Sequence, residues 1–177
     1  VINGTDIQFE IKEGTCPIKE GWNKTGNLTC PCCGSVTTSK QVKEQSCESQ
    51  LKEKFIATIV ESHGGKKYQL PSIDLLLPNI DYHNEFIPLE MMTKQTDLIS
   101  SRGWGINQWY QMFSSRQLYM LQSFTKSFSL LKKKIEPTQY TQALYTYLAI
   151  WIDRIAVANT SLGRWHNGRE TIEHPFS

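Results

Sequence analysis

Hydrophobic and polar residues alternate in short runs over the first 70 positions of the chain. Ile7, Phe9 and Ile11 lie on one face of a predicted strand, and residues 55–61 give the strongest strand signal in the sequence. A Gly-Gly turn follows, and residues 68–70 predict the returning strand. Between these strands, residues 40–54 are mostly polar and indicate a short helix or a linker. This part is therefore predicted to be β-rich.

The pattern changes in the C-terminal third, where apolar residues recur at steps of three and four. Ser114 and Ser115 can cap a first helix, and three lysines at 132–134 end it favourably against the helix dipole. A second helix is predicted over residues 138–159, and the short connection favours an antiparallel pair. The predicted apolar faces are Leu118, Leu121, Phe124, Phe128 and Leu131 on the first helix, and Leu144, Tyr147, Leu148, Trp151, Ile152 and Ile155 on the second.

Together these patterns predict an α+β chain. Its parts are a β-rich, zinc-ribbon-like region at residues 1–70, a looped bridge at 71–113 that contains several prolines, and a helical part at 114–177. No run of 18 apolar residues occurs, so no membrane span or membrane partner is expected. The first residues show no signal peptide, and the absence of an initial methionine suggests a piece of a longer protein.

Composition narrows the function classes. The 177 residues include 19 Lys and Arg against 17 Asp and Glu, a formal charge of only +2. This excludes a uniformly basic nucleic-acid binder, so any contact with DNA must come from a local patch. Five cysteines, an odd number with three of them inside four residues, argue against a disulfide framework. We therefore expect a reducing, cytoplasmic compartment.

The cysteine cluster is a candidate metal site. Cys30 and Cys33, with Gly34 at the turn, have the Cys-x2-Cys form that presents two thiolates to zinc. We predict Cys30 and Cys33 as metal ligands in a structural zinc site. The alternative is a metal-free turn whose partners lie elsewhere. Completing the site from this chain would require the single residues Cys16 and Cys47, or a histidine such as His63.

Signs of catalysis are missing from the sequence. It contains no glycine-rich nucleotide loop and no Gly-x-Ser-x-Gly elbow. The four histidines are scattered, each without an acid or nucleophile at a spacing that indicates a triad. We therefore expect that the chain by itself catalyses no reaction.

Basic and aromatic side chains mix in two segments, 102–110 and 164–169, and this mixture suits phosphate contact and base stacking. A further arginine lies in the first turn of the predicted helix, where the helix dipole disfavours a cation and a specific partner is indicated. The predicted DNA-binding residues are Arg102, Trp104, Trp109, Arg116, Arg164, Trp165 and Arg169. Lys126 and residues 132–134 could extend the positive stripe. The alternatives are tryptophans that seal the edge of the helical pair and lysines that form a solvated face.

Three segments, taken in order, resemble one family. Residues 27–37 read NLTCPCCGSVT, residues 67–71 read KYQLP, and residues 112–118, reading MFSSRQL, lead to SLGRW at 161–165. These segments resemble the large adenine-specific DNA methylases that carry a zinc-ribbon-like insertion. The resemblance extends from about Gly14 to the C-terminus.

In that family a cofactor-binding glycine loop lies upstream and an Asp-Pro-Pro-Tyr tetrapeptide downstream, and neither is in this sequence. The resemblance therefore implies a non-catalytic region of an adenine-N6 methyltransferase, with S-adenosylmethionine bound elsewhere in the parent. Its partners would be DNA and the remainder of the methylase chain. The family's upstream segment often supplies another cysteine pair for zinc. Two alternatives stay open: a structural insertion that packs on the methylase core, and a zinc-ribbon module that binds proteins.

Overall fold

The computed structural model describes residues 2–3, 6–15, 26–30, 33–49, 53–72, 80–81, 86–92 and 104–173. These ranges contain α-helices and small antiparallel sheets of two strands each, so the chain is mixed α+β, as predicted. Contacts divide the chain into two compact units. The N-terminal unit comprises Val1–Leu76 with Ile99–Gly105, and the C-terminal unit comprises Leu77–Leu98 with Ile106–Ser177. The predicted bridge at 71–113 thus contributes residues to both units, and its boundaries stay a prediction.

In the described residues of the N-terminal unit, the strands form three hairpins. β1 (Ile2–Asn3) pairs with β2 (Asp6–Ile7), β3 (Leu28–Thr29) with β4 (Val36–Thr37), and β5 (Thr58–Ser62) with β6 (Gly65–Gln69). The predicted hairpin is present with shifted bounds: β5 begins at Thr58 rather than at residue 55, and β6 covers residues 65–69 rather than 68–70. The turn consists of His63 and Gly64, so Gly65 begins the return strand.

One predicted strand is shorter than its pattern suggests. The alternation Ile7, Phe9, Ile11 predicts a strand of five residues, but β2 ends at Ile7, and Phe9 and Ile11 are exposed. Alternation marks which side chains could share a face, whereas a strand also needs a neighbour for its hydrogen bonds. In the described part of the chain, no strand pairs with residues 8–11.

The polar stretch after β4 forms α1 (Ser39–Ser49). Its start is a reciprocal cap, because the Gln41 amide donates to the Thr38 hydroxyl (3.3 Å) and the Thr38 amide donates to the Gln41 side chain (2.9 Å). Gly105 packs against this helix with φ +84°, and a Cβ there would lie 2.6 Å from the Ser46 carbonyl oxygen. Glycine is therefore required at this position.

The C-terminal unit begins with extended segments that lie beside each other. The Met92 amide donates to the Asn107 carbonyl (2.8 Å), and the Tyr110 amide donates to the Pro88 carbonyl (3.1 Å). A short 3-10 helix, Trp109–Met112, follows. Ile80 and Ile87 form a core cluster with Leu118 from the helical part. Part of the predicted looped bridge therefore packs its apolar side chains against the beginning of the helical part.

The two predicted helices are present at nearly the predicted positions. They are α2 (Ser115–Lys134), capped by Ser114, and α3 (Gln139–Ala158), capped by Thr138. Phe124 of α2 stacks edge-on against Trp151 of α3, and Phe128 against Tyr145. Later residues of α2 thus meet earlier residues of α3, which confirms the antiparallel pair.

Hydrogen bonds at Met112 fix the far end of α3. The Met112 carbonyl accepts from the Thr160 hydroxyl (2.9 Å), the Ser161 hydroxyl (2.7 Å) and the Ser161 amide (2.9 Å). The chain then forms a final hairpin of β7 (Arg164–His166) and β8 (Thr171–Glu173). Among the helices of the described ranges, none has both the length and the apolarity needed to cross a bilayer.

Candidate nucleic-acid interface and cysteine turn

The predicted cysteine knuckle is a closed turn between β3 and β4. The Cys30 amide donates to the Ser35 carbonyl (2.8 Å), and the Gly34 amide donates back to the Cys30 carbonyl (2.9 Å). Gly34 has φ +72°, a conformation that glycine adopts without steric cost. The local sequence therefore forms the tight loop that brings two thiols onto one turn.

The Cys33 thiol lies at the exposed side of this turn, next to Ser35. Its sulfur lies 3.0 Å from the Ser35 hydroxyl oxygen, and its side chain is exposed. Hydrogen bonds from the Ser35 hydroxyl and amide, and then from the Cys30 thiol, lower the pKa of Cys33 to about 7. Near neutral pH a large fraction of this side chain is thiolate, the form that binds metals and attacks electrophiles.

The residues that are present fit one half of a tetrahedral zinc site. Cys30 and Cys33 supply two sulfurs on one turn, as the Cys-x2-Cys form requires. In the described ranges, however, no three His, Cys, Asp or Glu side chains come together as a metal-binding group. Cys47 is exposed on α1, His63 is exposed in the turn after β5, and Cys16 lies outside the described residues. The zinc site stays a prediction.

The predicted tryptophan platform is divided between the two units. Trp104 belongs to the N-terminal unit, where it is half-buried and the Lys43 Nζ lies 5.4 Å from its ring centroid. Trp109 belongs to the C-terminal unit and begins the 3-10 helix with its side chain exposed. Arg102 lies outside the described residues.

The final hairpin holds three of the predicted DNA-binding residues. Arg164 donates from Nε to Glu173 (2.9 Å) and from a terminal nitrogen to the same oxygen. This pairing is the main cause that holds the pKa of Glu173 below its ordinary value. Trp165 lies opposite Ile172 in the register, and Arg169 is exposed in the turn region, with its amide donating to His166 Nδ1 (3.0 Å). The Arg164 charge is therefore compensated within the hairpin.

Arg116 lies where the sequence placed it, exposed in the first turn of α2. Two reciprocal hydrogen bonds define that turn. The Gln117 amide donates to the Ser114 hydroxyl (3.3 Å), and the Ser114 amide donates to the Gln117 side-chain oxygen (2.8 Å). The helix start is thus capped by uncharged groups, and the first turn contains no acidic residue.

The exposed side of α2 carries more basic residues than the predicted DNA-binding set, which includes only Arg116 from this helix. The helix carries five Lys and Arg residues and no Asp or Glu. At 100° per residue, several exposed side chains fall on one side of it, and we call them the basic face: Arg116, Tyr119, Lys126, Lys133 and Lys134. In the described part of the chain, no acid forms an ion pair with the three lysines of this face.

Sequence reasoning named the lysines of the basic face only as a possible extension and missed Tyr119. The signal was available, because Tyr119, Lys126 and Lys133 are spaced by seven residues, which returns to almost the same side of a helix. Apolar periodicity marks the residues that build a core, and the polar face opposite it has the pattern of an ordinary solvated surface. Lys132 lies off this face, with its Nζ 5.8 Å from the Phe128 ring centroid.

Comparison with protein-family models, with curated proteins and with solved structures finds no match to this chain. The resemblance of its short segments to adenine-specific DNA methylases therefore stays a prediction. The side chains that bear most directly on what the chain can bind are those of the basic face of α2 and the thiols of the cysteine turn.

Proposed function

We propose that this chain is a non-catalytic region of an adenine-N6 DNA methyltransferase, and that it engages or positions DNA through the basic face of α2. Methyl transfer and S-adenosylmethionine binding would belong to other segments of the parent, in the cytoplasm. The resemblance of the ordered segments supports the parent class. The observation that carries DNA engagement is the exposed side of a 20-residue helix with five cations and no acid.

Physical chemistry favours a polyanion as the partner of this face. Duplex DNA carries one negative charge per roughly 1.7 Å of axis, and lysines that neutralise phosphates release condensed counterions. Lys126 and Lys133 are two turns apart, or about 10 Å along the helix. Tyr119 exposes 53% of its surface on the same face, so an aromatic ring can accompany the phosphate contacts.

The earlier candidate residues take unequal parts in this proposal. Arg116 belongs to the basic face, and Arg169 offers a second exposed cation from the hairpin turn. Arg164 is held by Glu173, so it would have to exchange an internal partner for a phosphate. After that exchange the Glu173 carboxylate would lie near the phosphates and repel them. We therefore assign Arg164 a smaller share of the DNA affinity.

The test is DNA affinity as a function of salt. A triple Lys→Gln variant at 126, 133 and 134 removes three positive charges from the basic face, and a variant at Lys12, Lys40 and Lys67 removes three from exposed sites in the N-terminal unit. Fluorescence anisotropy with a short duplex should show the salt slope of the first variant reduced by up to about 3, because each lost phosphate contact removes about 0.9. Its Kd at moderate salt should rise at least tenfold.

The control variant decides between a local patch and diffuse attraction. It is expected to keep a slope close to that of the wild type. If both variants lose the same affinity, or if the wild-type chain binds duplex DNA without salt dependence, the basic face is not a DNA-binding surface.

We further propose that the N-terminal unit is zinc-ribbon-like, with Cys30 and Cys33 as two of the ligands. The hydrogen-bonded turn and the lowered pKa of Cys33 support this assignment. Titration with Co²⁺ should give thiolate-to-metal charge-transfer absorption that Cys30→Ser or Cys33→Ser removes. Cys47→Ser, which alters an exposed thiol on α1, should leave the spectrum unchanged if the remaining ligands come from elsewhere. Spectra that are insensitive to Cys33→Ser would rule out the turn as a metal site.

A further inference from the structure

An apolar stripe lies on the exposed side of α3. Tyr140 and Tyr147 expose 77% and 74% of their surface, Trp151 exposes 52% and Leu144 exposes 38%. These four residues, here called the aromatic stripe, follow each other at steps of four, three and four, so they fall on one side of the helix. The buried Tyr145 lies on a different side, where Phe128 packs against it. Packing within the unit therefore covers the stripe only in part, through the contact of Trp151 with Phe124.

The stripe itself carries no charge that would attract DNA. From Gln139 to Ile152 α3 contains no charged residue, in contrast to the five cations of α2. A neutral surface of aromatic rings and one leucine has no group to neutralise phosphates. Burying this surface is favourable because it removes apolar area from water. Its partner must therefore present an apolar surface as well.

The spacing of the stripe makes it complementary to itself. Steps of four, three and four read the same in both directions, and they match the a and d positions of a coiled-coil heptad. Two antiparallel copies of α3 related by a twofold axis place Tyr140 opposite the partner's Trp151 and Leu144 opposite the partner's Tyr147. Each layer of the contact then contains two different side chains, one from each copy, and both copies use the same patch.

Charges at the two ends of the stripe agree with that register. Glu136 precedes the helix, and Arg154 follows the stripe near the other end. Within the described residues neither forms an ion pair. In the antiparallel register, Arg154 of one copy comes next to Glu136 of the other, and the twofold axis creates this opposite-charge contact twice. A parallel arrangement would place Arg154 beside Arg154 of the second copy.

We propose that the aromatic stripe of α3 is the contact of a homodimer, in which a second copy of this chain packs antiparallel across it with the Glu136 and Arg154 contacts at both ends. This inference rests on α3 alone and does not depend on the proposed DNA engagement. Trp151 is the rigid anchor of the contact, because its inner edge is already held against Phe124.

Sedimentation velocity of the whole chain over a range of concentrations tests the proposal. The wild type should reach a dimer, and Tyr147→Glu should weaken self-association at least tenfold because it places a charge in the seam. Tyr119→Glu is the matched control, since it makes the same change at a half-exposed tyrosine of α2. Both variants should keep the wild-type circular dichroism and, at concentrations where the wild type is monomeric, its melting temperature. A wild-type chain that is monomeric up to its solubility limit, or a dimer that Tyr147→Glu leaves intact, overturns the proposal.

A charge swap tests the antiparallel register. Arg154→Glu should weaken the dimer several-fold, and adding Glu136→Arg in the same chain should restore it, because the swap recreates both end contacts with reversed signs. Glu136→Gln with Arg154→Gln removes both contacts and should stay weak. If the double swap fails to restore self-association, the antiparallel register is wrong.

Discussion

The helices α2 and α3 are alike on the inside of the C-terminal unit and opposite on the outside. Each has twenty residues, begins with a capping box and contributes aromatic rings to their shared contact. The exposed side of α2 is basic, whereas the exposed side of α3 is apolar and uncharged over fourteen residues. Folding requires only the inner faces. The outer faces are therefore available to partners, and we propose a different one for each: DNA for α2 and a second copy of the chain for α3.

The largest expected effect is a loss of stability when a buried leucine of α2 is truncated, compared with an exposed leucine of the same helix. Leu118→Ala removes a side chain that is 3% exposed and packs with Ile80 and Ile87, so it should lower the free energy of unfolding by about 2–5 kcal/mol. Leu130→Ala, at a leucine that is 47% exposed on the same helix, should cost less than about 1 kcal/mol. Urea unfolding followed by circular dichroism measures both. Equal costs would show that α2 is not anchored through Leu118.

The next effect separates the two outer faces by function. The triple Lys→Gln variant of α2 should lose at least tenfold in DNA affinity, about 1.4 kcal/mol, and keep wild-type self-association. Tyr147→Asn should weaken self-association and leave DNA affinity within about twofold, measured at concentrations where the wild type is monomeric. Anisotropy and sedimentation on the same samples give the comparison. If one variant impairs both properties, the two faces form a single surface.

A smaller effect should be equal in both helices. Ser114→Ala and Thr138→Ala each remove a hydroxyl that accepts a hydrogen bond from a backbone amide in the first turn of its helix. The donors are the Gln117 amide, at 3.3 Å, and the Thr141 amide, at 3.2 Å. Each should cost about 1 kcal/mol of stability, because an N-cap is a local feature that is independent of the outer face. Thermal unfolding provides the measurement, and Ser123→Ala within α2 is the control, with a change below about 0.5 kcal/mol. A cap cost found in only one helix would contradict their local equivalence.

The smallest effect concerns Arg164 of the final hairpin, whose charge, unlike those of the lysines on the basic face of α2, is paired with Glu173. Arg164 lowers the pKa of Glu173, so this ion pair stabilises the hairpin above the ordinary pKa of a carboxyl group. The contribution is lost as the pH falls through the lowered pKa, and it is small because both groups reach solvent. Trp165 fluorescence and amide exchange in β7 should report loosening in acid. Glu173→Gln should remove this pH dependence, and persistence of the dependence would assign it to another group.

Local signals in the sequence predicted the helices well. Ser114 caps α2 as expected, Thr138 caps α3 where the sequence placed the first helical residue, and the helices end within a residue or two of the predicted positions. The Cys30 to Gly34 turn between short strands is likewise formed by a glycine at positive φ and by nearby hydrogen bonds. Such features depend on residues a few positions apart, so the sequence alone carries them.

The distribution of burial was harder to predict. Leu144, Tyr147 and Trp151 were assigned to an apolar face, but in the structure Tyr145 is buried and the other three are largely exposed. Periodicity shows that a helix has apolar positions without showing which of them another element will cover. The ladder of residues 88–92 against 107–110, within the predicted loop, was missed for the same reason, since pairing across fifteen or more residues leaves no local pattern.

The sequence by itself determined the α+β class, the two helices, their caps and the cysteine turn, because each follows from short-range sterics and hydrogen bonding. Only the tertiary structure decided that the side of α3 with Tyr145 faces the core, that Glu173 compensates Arg164, and that, within the described residues, Lys126, Lys133 and Lys134 form no ion pair. Those outcomes depend on which surfaces meet when distant segments pack. That choice depends on the shape and burial of the whole unit, and no single stretch of the chain contains it.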